Sequence, residues 1–125
     1  MHKKILLIED NEAARNLLEF ILEDAGFQVQ SAARSDHVIE MAEGERPDVI
    51  LMDVMMQPFT GYEVCKTLKK REQTCTIPIV LVSAKGQKKE QQEGLAAGAS
   101  AYVVKPFEAE DLIRTLESLL EKKQE

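Results

Sequence analysis

Four short apolar runs interrupt the polar background of this 125-residue chain, and each ends on side chains able to do chemistry. Ile5-Leu6-Leu7-Ile8 stops at Glu9-Asp10 and Val49-Ile50-Leu51-Met52 at Asp53; Ile79-Val80-Leu81-Val82 stops at Ser83, and Tyr102-Val103-Val104 at Lys105. Unbroken apolar runs of this length suit strands buried on both faces, as in parallel sheets. Helical periodicity fills the intervals. Leu17, Leu18, Ile21, Leu22 and Ala25 share one face of a helix over 12–25, with Asn11 as N-cap and Gly26 just past its end. Residues 27–32 alternate and predict a short edge-like strand. Ser35 is placed to cap a second helix carrying Val38, Ile39 and Ala42 and ending near Gly44, and Pro47 breaks the chain before a strand over 48–53. After a loop over 57–61 comes a helix over 62–71, then a strand opened by Ile77-Pro78. A thinly apolar helix over 85–97 ends at Gly98, and a strand over 101–104 follows. The last helix carries Leu112, Ile113, Leu116, Leu119 and Leu120, and 121–125 reads as a charged tail.

Strands alternating with helices predict an α/β fold, a parallel sheet with helices on both faces and right-handed crossovers. The length predicts one domain over 1–125, able to bury roughly two-thirds of its unfolded surface. A composition of 44% hydrophobic and 30% charged residues argues against a disordered or membrane chain. No apolar run approaches the ~20 residues of a membrane span, and the N-terminus lacks a cleavage region, so a cytoplasmic location and no membrane partner are expected. The net charge of −6 argues against direct nucleic-acid binding. The basic clusters Lys66, Lys69, Lys70, Arg71 and Lys85, Lys88, Lys89 read as wet helix faces. Cys65 shares a helix face with Tyr62 and Leu68 and reads as core; Cys75 lies in a polar loop. No disulfide between them is expected in a reducing compartment, and His2 and His37 have no ligand partner.

Parallel strands would bring Glu9, Asp10, Asp53, Ser83 and Lys105 to one sheet edge, where open α/β sheets place their chemistry. Two carboxylates about 4 Å apart repel by roughly 4 kcal/mol at an effective dielectric of ~20, so three need counter-charge. Lys105 supplies part. A divalent cation supplies the rest, and an all-oxygen site suits Mg²⁺ or Mn²⁺, which in turn expects a phosphate. The chain has no glycine-rich phosphate loop, and its first strand-to-helix turn, Glu9-Asp10-Asn11-Glu12, is too acidic to cradle a phosphate directly. Asp53 is instead placed to attack an activated phosphoryl group and form an aspartyl phosphate, with Lys105 neutralising charge and Ser83 donating to a phosphoryl oxygen.

These residues stand in motifs that resemble the receiver domain of two-component response regulators over nearly the whole chain. The motifs are Lys3-Lys4-Ile5-Leu6-Leu7-Ile8-Glu9-Asp10-Asn11; Asp48 to Met56 with Gly61-Tyr62-Glu63-Val64-Cys65; Val82-Ser83-Ala84; and Gly98-Ala99 through Tyr102 to Lys105-Pro106-Phe107. The resemblance implies a flavodoxin-like, doubly wound five-stranded parallel sheet of order 2-1-3-4-5. It implies Asp53 as phosphoacceptor, Ser83 as switch hydroxyl, Lys105 as phosphate-sensing lysine and Tyr102 as switch aromatic, swinging from solvent toward the core. It implies Mg²⁺ held by Asp10, Asp53 and the backbone carbonyl of Met55, with Glu9 acting through water, and a cis Lys105-Pro106 peptide. The chain departs from the family where Gln57 replaces Pro, Pro58 replaces Gly and Thr60 replaces Asp, which predicts that the loop after Asp53 sits differently over the site.

The implied function is a phosphoacceptor signalling domain, charged by a histidine kinase or histidine phosphotransfer protein and read by a downstream protein target. It is no enzyme beyond its own phosphorylation and dephosphorylation. With no effector segment after Gln124-Glu125, output by protein contact is expected unless the chain is a fragment. Two alternatives are a scaffold that is never phosphorylated, against which Asp53, Ser83 and Lys105 count, and a Mg²⁺-dependent phosphohydrolase, which needs an acid where Met55 stands.

Overall fold

The computed structural model describes residues 2–124, with side chains described as far as Glu121. Five strands alternate with five helices: β1 (Lys4–Ile8), α1 (Glu12–Asp24), β2 (Gln28–Ala32), α2 (Val38–Glu45), β3 (Val49–Asp53), α3 (Gly61–Lys70), β4 (Ile79–Ser83), α4 (Lys88–Ala96), β5 (Ala101–Val104) and α5 (Ala109–Gln124). The strands form one parallel sheet in the order β2-β1-β3-β4-β5, as expected. In-register pairs such as Ile8 with Met52 and Asp53 with Val82 align the strand ends along one edge.

Strand side chains alternate between two apolar layers. Ile5, Leu7, Val49, Leu51, Val80 and Val82 pack with Leu18 and Leu22 of α1 and Leu112, Leu116 and Leu120 of α5. Leu6, Ile8, Ile50, Met52, Ile79 and Leu81 face the other way, onto Val38 and Ala42 of α2 and Val64, Cys65 and Leu68 of α3. Cys65 is fully buried, as its helical spacing predicts, and burial pushes its thiol up to about 11; Cys75 is exposed, and both thiols are free.

Local chemistry sets the helix ends. Asn11 caps α1 by accepting the Ala14 N–H, and Gly26 follows with φ 98°. Thr60 and Glu63 form a reciprocal capping box that fixes the start of α3, so the residue that departs from the family pattern has a local task. Ser35 does not cap α2. It opens a short 3-10 turn, Ser35–His37, and its buried hydroxyl accepts the Phe59 N–H at 2.8 Å while its own N–H donates to Gln57 O at 3.1 Å. That hydroxyl pins the β3–α3 loop, and α2 starts without a side-chain cap. Both Gln57-Pro58 and Lys105-Pro106 are cis.

Three further expectations are corrected. Leu17 is 60% exposed, because the buried stripe of α1 is narrower than its apolar one. Lys69 is no wet-face lysine: its ammonium donates to the carbonyls of Cys75 and Ile77, closing the α3–β4 loop. Residues 121–124 continue α5 instead of forming a tail, and Glu125 lies outside the described residues.

Gly61 marks the tightest approach behind the acidic edge. A Cβ there would sit 2.7 Å from the Asp53 carbonyl oxygen and 2.9 Å from Val54 Cα, both backbone atoms. Gly61→Ala is expected to destabilise the fold by roughly 1–3 kcal/mol, the usual cost of overpacking. Urea unfolding checks this; an unchanged midpoint contradicts it.

Candidate acidic and phosphoryl site

The sheet edge collects the expected groups. Glu9 and Asp10 follow β1, Asp53 ends β3, Ser83 ends β4, and Lys105 follows β5. One carboxylate oxygen from each of Glu9, Asp10 and Asp53 lies within 4.8 Å of the others. The Lys105 ammonium donates to Asp53 Oδ2 at 3.0 Å and to Glu9 Oε1 at 3.2 Å. Asp53 Oδ1 accepts the Met55 N–H at 3.1 Å, which sets the Met55 backbone beside the carboxylate. Glu9 is buried, and its other oxygen accepts the Asn11 N–H at 3.1 Å. Asp10 is exposed and has no ion pair among the described residues.

Charge is unevenly balanced here. Burial raises the Glu9 carboxyl above its ordinary value; the Asn11 amide and Lys105 pull it down, and Asp53 pushes it up. For Lys105, burial acts to lower the ammonium, but the hydrogen bond and charge of Asp53, then of Glu9, outweigh it and raise it. Three carboxylates face one ammonium, and the donors are all oxygen. Such a set fits a small hard divalent cation that keeps part of its water shell.

Ser83 is fully buried. Its hydroxyl accepts the Lys85 N–H at 3.0 Å, and its carbonyl accepts the Lys105 N–H at 2.8 Å, so it joins the acidic edge to the loop before α4. Tyr102 stands apart from the acids. Its ring is partly buried, and its hydroxyl donates to Lys85 O at 2.8 Å and meets the Tyr62 hydroxyl at 3.2 Å, so it is docked in this structure and does not point to solvent. Three contributors were missed in the sequence. Arg15 donates to Glu9 O at 2.9 Å, four residues after the Asn11 cap; Ser35 holds the loop over Asp53 from 24 residues away; Tyr62 meets Tyr102. None of these three carries a local sequence signal; the Thr60-x-x-Glu63 capping box, also missed, does.

Fold and site together define a phosphoacceptor signalling domain of two-component systems. The response regulator receiver domain family matches residues 5–117, and the chain belongs to that family. It is 37% identical over 120 residues to the phosphate regulon transcriptional regulatory protein PhoB of Rhizobium meliloti, covering 96% of this chain and 53% of that protein. It is equally 37% identical over 120 residues to the alkaline phosphatase synthesis transcriptional regulatory protein PhoP of Bacillus subtilis, covering 96% of this chain and 49% of that protein. The chain thus spans about half the length of these curated relatives. Among solved structures, the chemotaxis response regulator CheY4 of Vibrio cholerae superimposes with a TM-score of 0.89 at 34% identity, over 95% of this chain and 99% of that one. The receiver domain of sensor histidine kinase PA1611 from Pseudomonas aeruginosa also gives 0.89, at 29% identity over 96% and 98% of the two chains, and has a magnesium ion coordinated in its active-site cleft. Among the described residues, no helix is long and apolar enough to cross a membrane.

The unpaired charge of Asp10 gives a stability test. Asp10→Asn removes one of three crowded carboxylates and no ion pair, so in chelator its melting temperature is expected to rise by roughly 2–5 °C. The gain that the wild type shows with millimolar Mg²⁺ is expected to shrink. Thermal unfolding with and without Mg²⁺ measures both; a lower metal-free midpoint, or an undiminished Mg²⁺ gain, contradicts the account.

Proposed function

We propose that Asp53 is the phosphoacceptor of this receiver and takes its phosphoryl group from a phosphohistidine on a histidine kinase or histidine phosphotransfer protein. One observation carries the reading: the Asp53 carboxylate, at the end of a buried strand, lies between the Lys105 ammonium and the Met55 N–H, beside Glu9 and Asp10. A carboxylate oxygen of Asp53 attacks phosphorus, the P–N bond breaks, and its electron pair leaves with the donor imidazole. Lys105 is already in place to neutralise the phosphoryl oxygens. Asp10, Asp53 and the Met55 carbonyl would hold a divalent cation, Mg²⁺ or Mn²⁺, with Glu9 acting through water, and the cation would supply further charge neutralisation. The added group carries about −1.5 to −2 charges. The Ser83 hydroxyl turns toward it, Lys85 shifts, and Tyr102 and α4 repack for a downstream protein target.

We read residues 1–125 as one receiver unit working in the cytoplasm, a setting that suits its two free cysteines. Its chemistry is confined to its own phosphorylation and dephosphorylation. An apolar groove of about 590 Å³, lined by Leu17, Leu18, Ile21, Pro106 and Phe107 and reaching Lys105, gives a donor protein a face on which to sit beside Asp53.

Incubation with acetyl phosphate and Mg²⁺ is expected to add the mass of one phosphoryl group to the wild type and none to Asp53→Asn. An unmodified wild type, or an equally modified variant, overturns the reading. Met55 is 54% exposed and anchored to Asp53 through its backbone, so its thioether can shield the acyl phosphate from water. Met55→Asn is expected to shorten the phosphorylated half-life, followed by loss of the added mass; an unchanged or longer half-life removes the shielding role.

A further inference from the structure

Nothing holds Asp10 by its own side chain. It makes no ion pair and no side-chain hydrogen bond among the described residues, yet its carboxylate gathers with those of Glu9 and Asp53. Its place therefore comes from its backbone. A peptide group is planar, so a hydrogen bond to either of its polar atoms restrains the whole plane. Two such planes flank Asp10. The Asp10–Asn11 peptide is held through the Asn11 N–H, which donates to Glu9 Oε2 at 3.1 Å. The Glu9–Asp10 peptide is held through the Glu9 carbonyl, which accepts from Arg15 Nη1 at 2.9 Å.

The Arg15 contact is no continuation of the sheet. The register of β1 ends with Ile8, opposite Ala32 in β2 and Met52 in β3. The Glu9 N–H still donates to Ala32 O at 3.1 Å, but the Glu9 carbonyl lies past the last pair on both sides and takes its donor from a side chain of α1. Arg15 is placed to supply it because its own N–H closes the first turn of α1 on Asn11 O at 2.8 Å. Arg15 is half-buried and is the only basic residue in α1. Glu9 is thus held at every polar group: its N–H by Ala32, its carboxylate by Asn11 and Lys105, and its carbonyl by Arg15. The planar guanidinium gives that last bond a direction that a flexible ammonium lacks.

We propose that Arg15 is a positioning residue of the cation site: by fixing the Glu9–Asp10 peptide it directs the Asp10 carboxylate toward Asp53, where a divalent cation would be bound. This deepens the receiver reading and rests on its cation site. Without the bond, the turn keeps only the Asn11 anchor, and a cation must order Asp10 as it binds, at a cost in affinity. The charge of Arg15 acts in the opposite sense. A guanidinium one peptide away repels a dication, so loss of that charge alone tightens metal binding. The sign of the change in affinity separates the two roles.

Arg15→Met removes the donor and the charge and keeps much of the apolar stem. Titration of the unphosphorylated protein with Mg²⁺, followed through the amide resonances of residues 53–55, is expected to give a dissociation constant roughly tenfold above that of the wild type. Arg15→Lys, which keeps the charge and a donor, is expected to lose less. In an Asp10→Asn background, Arg15→Met is expected to change the Mg²⁺ dissociation constant little, because the carboxylate it positions is gone. Unchanged or tighter Mg²⁺ binding in Arg15→Met, or an equal loss with and without the Asp10 carboxylate, would overturn the positioning role and leave the receiver reading standing. A wild type that binds no Mg²⁺ overturns the cation site and the role of Arg15 together.

Discussion

The Lys105 ammonium bridges Glu9 and Asp53 at the end of the sheet, and this contact governs what the molecule can do. Carboxylates so close destabilise one another, and one cation cannot balance all three. The fold tolerates them because Glu9 and Asp53 also accept backbone N–H groups, from Asn11 and Met55. The remaining imbalance makes the edge a place where added positive charge stabilises the protein. A phosphoryl group arriving there meets a lysine already oriented and pays little for reorganisation.

The sheet makes that edge rigid. Its central strands are buried on both faces by two separate apolar layers, so the end of each strand is fixed by packing and not by the loop that follows it. The fourth helix is built otherwise. It has a glycine on its inner face, an exposed Leu95 and no side-chain N-cap; the Tyr62 hydroxyl donates to Glu90 O in its first turn, and the Tyr102 hydroxyl to Lys85 O in the loop before it. Rigid chemistry beside a weakly held helix is the arrangement a switch needs, because local opening follows the elements with least apolar anchoring. Taking a switched form from 1% to 99% requires about 5.5 kcal/mol of differential stabilisation, which a few charge-assisted hydrogen bonds can approach.

The strands were legible because burial on both faces leaves continuous apolar runs, and β1 and β5 fall where those runs predict. The acids, Ser83 and Lys105 were legible for the same reason: each ends a run, and parallel register turns strand ends into neighbours. What escaped the sequence depends on distant partners. Ser35 looks like a helix cap until Phe59, 24 residues away, takes its hydroxyl. The fourth helix starts at Lys88 and not at Lys85, because both backbone groups of Lys85 are engaged, by Ser83 and by Tyr102. Leu17 satisfies helical periodicity yet lies outside the width that the sheet covers. Tyr102 was expected in solvent; the absent side chain of Gly94 gives its ring a seat that no pattern along β5 reveals.

The central claim is that this edge directs a phosphoryl group to one carboxylate among three. Borohydride reduces an aspartyl phosphate to homoserine and leaves a free carboxylate unchanged. After incubation with acetyl phosphate and Mg²⁺, reduction and peptide mapping, the account predicts homoserine at position 53 alone. Reduction at position 10, or no reduced residue anywhere in the chain, would contradict it.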